Sequence, residues 1–204
     1  MTKKQNSYKP PYEISSTMLS LVAGIAEIAG RITALRESSV DLRLRRVNRI
    51  KTIHGSLSIE GNTLSEQQIT AILAGKTVVA PQREIVEVKN AIDVYDKLES
   101  MNPDSEKDLL LAHKTLMLGL IETAGQYRTG GAGIMGKEEL VHIAPPAGRV
   151  PVLMKDLFSW LRKSDEHPLI KSSIFHYEFE FIHPFTDGNG RMGRLWQTLI
   201  LYRW

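Results

Sequence analysis

Near the end of the chain, the segment His183-Pro-Phe-Thr-Asp-Gly-Asn-Gly-Arg-Met-Gly-Arg194 brings together residue types that serve phosphate chemistry. Gly188 and Gly190 let the backbone adopt positive φ and come close to a ligand. With Asn189 between them, their successive N–H groups form an anion-binding nest. Helix-compatible sequence follows, so a helix N-terminus adds N–H donors and a positive dipole end. Arg191 and Arg194 are three apart and can face one anion from the first helical turn; two guanidiniums and a nest suit a polyphosphate. Asp187 supplies the hard oxygen that Mg²⁺ on phosphates prefers. His183, four residues earlier, is the natural general base for a hydroxyl nucleophile near neutral pH. Each feature alone has an ordinary reading: a helix stop, a turn, two surface arginines. Their concentration in one short segment favours a base, a metal ligand and a phosphate cradle, the parts that phosphoryl-type transfer needs.

The elements around this segment read mostly as helix. Apolar residues recur at helical spacing from Ile14 to Arg36 (Met18, Leu21, Val22, Ile25, Ile28, Ile32, Leu35), and a second helix is expected from about Val40 to Ser56. Gly61-Asn62 breaks the pattern. Ser65 and Gln68 form a capping box for a short helix stopped by Gly75. Ile85, Val88, Ile92, Tyr95 and Leu98 make another stripe, and Ser105 opens a helix that ends near Gly119. The glycine-rich stretch 125–136 is no packed helix. Two β-like runs, Ala132 to Met135 and Leu140 to Ala144, predict a hairpin with its turn at 136–139. Helix resumes near Pro151, with Leu153, Leu157, Phe158 and Leu161 facing inward. Pro168 suits the first turn of the next helix, which leads to His183. Trp160 and Trp196 are expected in the core.

Composition narrows the classes. The 204 residues suit one domain, or one domain with a small helical addition. Cysteine is absent, which removes disulfides and thiolate metal sites and fits a reducing cytoplasm. No apolar run is long enough for a membrane span, and the polar start lacks a signal peptide's core. The net charge of +3 is mild and the basic residues are scattered, so nucleic acid is not the expected partner. The one dense group, Arg43, Arg45, Arg46 and Arg49, reads as a solvated helix face. His176 and His183 lack the His-Glu-x-x-His pattern of a zinc hydrolase; His176 reads as a packed helix residue, and His113 has no assigned role. The chain ends in an apolar run, Leu195 to Trp204, which leaves room for a further C-terminal segment.

The segment from His183 resembles the signature of the Fic family, His-x-Phe-x-Asp/Glu-Gly-Asn-Gly-Arg-x-x-Arg, at every specified position. Gly125-Gln-Tyr-Arg128, the glycine-rich hairpin and Pro145-Pro146 resemble that family's flap. The stretch from about Tyr8 to Gly75 is similar to the N-terminal region of many members. The resemblance implies a mainly α fold, a helical bundle with a short β-hairpin flap. Residues 1–80 would form an N-terminal helical region and 81–204 the catalytic core, with the flap at about 125–146. It implies a protein adenylyltransferase that moves AMP from ATP, with Mg²⁺ or Mn²⁺, onto a hydroxyl of a target protein docked on the flap. Self-modification belongs to the same reading, and a homodimer stays open. His183 would be the base, Asp187 the metal ligand, and Gly188, Asn189 and Gly190 the anion hole. Arg191 would meet the phosphates and Arg194 the γ-phosphate.

Ser56-Leu-Ser-Ile-Glu60-Gly61 also resembles the family's inhibitory motif, Ser/Thr-x-x-x-Glu-Gly/Asn. By that resemblance Glu60 would occupy Arg194 and deny it to ATP; the plainer alternative is a surface glutamate near a helix end. Removal of AMP, transfer of UMP, and a non-catalytic nucleotide sensor remain as alternatives.

Overall fold

The computed structural model describes residues 8–34, 38–135 and 140–204. Among the described residues eight helices dominate: α1 (Ser16–Ala34), α2 (Ser38–Ile59), α3 (Glu66–Leu73), α4 (Gln82–Asp96), α5 (Glu106–Leu116), α6 (Val150–Lys163), α7 (Pro168–Ile182) and α8 (Asn189–Tyr202). Between α5 and α6, β1 (Gly133–Met135) pairs antiparallel with β2 (Leu140–Ile143). The Ala144 N–H extends the pairing by donating to Ala132 O at 3.1 Å. The expected turn at 136–139 lies outside the described residues.

Local signals set several helix ends. Ser65 accepts from the Gln68 N–H while the Gln68 side chain accepts from the Ser65 N–H, so the capping box closes both ways. Ser105 caps α5. His167 caps α7 ahead of Pro168. Gly75 stops α3 at φ 73°, where any other side chain would be strained.

α7 and α8 pack tightly together, and α5 and α6 close over them. Phe158, Phe175, Phe179, Phe185, Trp196 and Met154 lie at the centre, each at most 1% exposed. The Trp196 indole N–H donates to Pro103 O at 3.0 Å, so its polar edge is satisfied inside the core. α2 packs on α3, α4 and α8, which carries its C-terminal end to the segment that begins at His183. Arg49 donates to Ile92 O and pairs with Asp96, so it joins α2 to α4. α1 keeps its helical spacing, but its stripe stays open: Leu21, Ile25, Ile28 and Ile32 are 46–60% exposed. Periodicity fixes which face of a helix is apolar and does not say what covers it. Among the described residues, no helix is long and apolar enough to cross a membrane.

Candidate functional site

The α7–loop–α8 turn is held at its entrance by a strained residue. His183 ends α7 with φ 49° and ψ 62°, a left-handed conformation that costs a non-glycine residue roughly 1–2 kcal/mol. Arg128 stabilises it. Its Nε donates to His183 O at 2.7 Å, and its terminal nitrogens donate to Ile182 O, Gly130 O and Pro145 O. Its own N–H donates to Pro184 O. The guanidinium therefore caps the negative C-terminal end of α7 and joins both flanks of the β1–β2 pair to it. Arg128 is 4% exposed.

Past His183 the loop closes on itself. Asn189 is buried, and its side chain reads both polar groups of Phe185: the Phe185 N–H donates to Asn189 Oδ1 at 2.9 Å, and Asn189 Nδ2 donates to Phe185 O at 2.8 Å. Its amide is thus committed to the loop, leaving its backbone N–H as its group for an anion. Gly188 has φ 83°, and a Cβ there would lie 2.7 Å from Met117 Sδ, so both conformation and space require glycine. Gly188 offers no side-chain cap, as expected where the first N–H groups of a helix serve a ligand. The Gly188 N–H itself donates to Asp187 Oδ1 at 2.6 Å.

Asp187 is half-buried and faces two guanidiniums. Oδ1 accepts from Arg191 at 3.1 Å, and Oδ2 faces Arg83 of α4 at 3.7 Å. Arg191 is 5% exposed and also pairs with Glu87 of α4 at 3.5 Å. Arg191 therefore orients Asp187 from beneath, whereas Arg83 is the more exposed guanidinium at this carboxylate. Among the described residues, no group of three His, Asp or Glu side chains could hold a metal. Asp187 could hold a divalent ion only if the other oxygens came from a bound nucleotide, an arrangement that Mg²⁺ on phosphates commonly uses.

Arg194 meets the end of α2. Its Nε donates to Ser56 Oγ at 3.0 Å, and a terminal nitrogen donates to Ser56 O at 3.0 Å and to Glu60 Oε1 at 2.6 Å. Ser56 and Glu60 thus engage one guanidinium from one turn, as their spacing suggests. Gly190 makes room: a Cβ there would sit 2.5 Å from Glu60 Oε1.

One residue without a role in the sequence stands at the centre. His113 of α5 stacks on Phe185 with ring centroids 3.6 Å apart. Its Nδ1 accepts from the Gly125 N–H at 2.8 Å, which assigns the proton to Nε2, and Nε2 donates to Asp187 O at 3.0 Å. It joins the glycine-rich stretch at Gly125 to the loop between α7 and α8. Its place on the buried face with Leu109, Ala112 and Leu116 was legible from helical spacing; its partners, 12 and 74 residues away, were not. Burial pushes its pKa down to about 4, and Arg191 pushes the same way, against the opposing pull of Asp187. An imidazole protonated at 6.5 when unfolded and about 4 when folded contributes stability above pH 6.5 that is lost as pH falls toward 4, on the order of 3 kcal/mol in all. Glu180 carries the opposite sign over an overlapping window, so the measurement is residue-specific NMR. His113 is expected to keep one neutral Nε2–H tautomer down to about pH 4, and a midpoint near 6.5 would contradict the clamp.

The comparisons with known proteins agree with this geometry. Residues 103–201 match the model of the Fic/DOC family. A crystal structure of a Fic family protein from Desulfovibrio desulfuricans G20 is 56% identical, with a TM-score of 0.92 over 97% of this chain and 61% of that one. Fic-1 from C. elegans has a TM-score of 0.80 at 27% identity, over 91% of this chain and 57% of that one. Protein adenylyltransferase Fic of Aedes aegypti is 30% identical over 181 residues, covering 81% of this chain and 35% of that protein. The Drosophila melanogaster protein of the same name is 30% identical over 186 residues, covering 84% and 36%. The chain therefore spans about a third of the length of these curated relatives. With the signature segment, the helical bundle and these matches in agreement, the chain belongs to the Fic/DOC family.

Proposed function

We propose that this protein transfers AMP from ATP to a hydroxyl group of a protein target, and that Glu60 restrains the reaction. The observation that carries this reading is the convergence of His183, Asp187, the glycine-rich start of α8, and Arg194 on one turn between two packed helices. The adenylyltransferase names of the relatives supply its chemical class.

His183 takes the proton of the target hydroxyl as its oxygen bonds to the α-phosphorus. The bond from that phosphorus to the β-phosphate oxygen breaks, and pyrophosphate leaves. Asp187 would hold Mg²⁺ or Mn²⁺, which would neutralise phosphate charge when bound. The N–H groups of Asn189 and Gly190 donate to phosphate oxygens, joined by that of Gly188 once Asp187 Oδ1 releases it, and the dipole of α8 aids them. Arg191 keeps Asp187 aimed, and Arg194 receives the γ-phosphate once Glu60 lets go. The β1–β2 edge accepts an extended target segment by strand addition, which tolerates varied target sequences. The division at about residue 80 into a regulatory helical region and a catalytic core, and a cytoplasmic location, belong to the same reading.

Asp187→Ala tests the metal role. The variant is expected to lose metal-dependent ATP affinity, by calorimetry with and without Mg²⁺, while folding normally. Equal Mg²⁺-dependence in both proteins would remove Asp187 from this role.

A further inference from the structure

We propose that Glu180 is a positioning residue for Arg194, and that its charge sets how firmly Glu60 holds that guanidinium. The proposal rests on the inhibitory reading of Glu60. Gly190 and Gly193 are three apart and share a face of α8. A Cβ at Gly190 would lie 2.5 Å from Glu60 Oε1 and 3.0 Å from an Arg194 terminal nitrogen. A Cβ at Gly193 would lie 2.3 Å from Glu180 Oε1 and 2.9 Å from the His176 ring. Two missing side chains thus admit two carboxylates onto α8, one from the end of α2 and one from α7. Arg194 adjoins Gly193 in sequence and lies one turn beyond Gly190.

Glu60 and Glu180 sit in unlike surroundings. Glu60 is partly exposed and bonded to Arg194. Glu180 Oε1 is shut off from solvent with no protein hydrogen bond, as is His176 Nδ1 beside it. An ionised carboxylate in such a place is costly. Burial therefore pushes the Glu180 pKa up to about 7, with Arg194 pulling it down and Glu60 pushing it further up. Other ionisable groups lie on the same and on neighbouring helices. His176 shares the Gly193 contact from the same helix. Tyr95 of α4, pushed up to about 12 by burial, stays neutral. On α6, Asp156 acts on Tyr8, Arg162 donates to Asp104 O, and Lys155 and Lys163 are exposed.

The linkage has a definite sign. Ionised Glu180 attracts Arg194 and repels Glu60; neutral Glu180 does neither. Deprotonation therefore weakens the Glu60–Arg194 bond, and the reciprocal must hold: loss of the Glu60 charge lowers the Glu180 pKa. The restraint is firmest on the acid side and eases as pH rises through about 7.

The direct test is a ¹³C NMR titration of the Glu180 carboxyl, assigned with Glu180→Gln, in the unaltered protein and in Glu60→Gln. The midpoint is expected near neutrality in the first and lower in the second. Equal midpoints would overturn the coupling. The functional test is the AMP-transfer rate of Glu60→Gly divided by that of the unaltered protein, between about pH 6 and pH 8, a range that brackets the titration. Any pH dependence common to both proteins cancels in this ratio. The ratio is expected to fall as pH rises, by about tenfold for each pH unit separating the two midpoints, and to stay level in a Glu180→Gln background. A level ratio without that substitution would overturn the proposal. If Glu60→Gly transfers no faster at any pH, the inhibitory reading fails, and the two NMR midpoints still decide whether Glu180 is coupled to Glu60.

Discussion

His183→Ala is expected to cut AMP transfer by about 10²–10⁴-fold, the usual cost of losing a general base, with ATP binding retained. The structure adds a complication that shapes the experiment. His183 holds a left-handed backbone conformation at the end of α7, which alanine adopts poorly and asparagine more readily. His183→Asn therefore removes the base while sparing the turn that Arg128 clamps. Both variants should lose transfer and keep nucleotide affinity by calorimetry. Near-full rates in His183→Asn would end the assignment of the base. Full rates in Asn with loss in Ala would reduce His183 to a backbone role.

The second large effect has the opposite sign. Arg194 gives Glu60 a 2.6 Å bond and gives Ser56 two more. A hydrogen bond to a charged group is worth about 1.5–3 kcal/mol, so freeing the guanidinium should raise AMP transfer by roughly 10–100-fold. Glu60→Gly is the larger perturbation, because it sets two glycines in a row at the end of α2. Glu60→Gln isolates the charge and should move the rate in the same direction. Adding Arg194→Ala to Glu60→Gly should return transfer to a low level, since the group released is then missing. Stability should change by about 0.5 kcal/mol or less if Glu60 were an ordinary surface residue, so rates are compared at matched folded fractions from thermal melting. An unchanged rate in folded Glu60→Gly would remove the restraint and leave the family membership intact.

The proposed site was legible in the sequence because it is local. His183, Asp187, Gly188, Asn189 and Gly190 owe their arrangement to one turn between two helices, and the spacing of Arg191 and Arg194 follows from the helix itself. The capping box at Ser65 and the breaks at Gly61 and Gly75 were legible for the same reason. Roles that depend on distant partners were not. His113 looked like one more helix residue, yet it clamps the catalytic loop because α5 packs beneath Phe185. Arg128 belonged to a recognisable stretch, but its position among four carbonyls from both ends of the flap region and from α7 is tertiary. Arg191 reads as a phosphate ligand in sequence; its burial between Asp187 and Glu87 depends on where α4 lies. His176 reads as a packed helix residue and Glu180 carries no reading in sequence; only the missing side chain of Gly193 places them beside the Arg194 turn.

The most direct test of the central claim uses the Glu60→Gly protein with Mg²⁺ and ATP labelled at either the α- or the γ-phosphate. Adenylyl transfer predicts that α-label becomes covalently attached to protein, in the enzyme itself or an added target, while γ-label leaves in pyrophosphate. Incorporation of γ-label, or no α-label on folded protein with bound ATP, would contradict it.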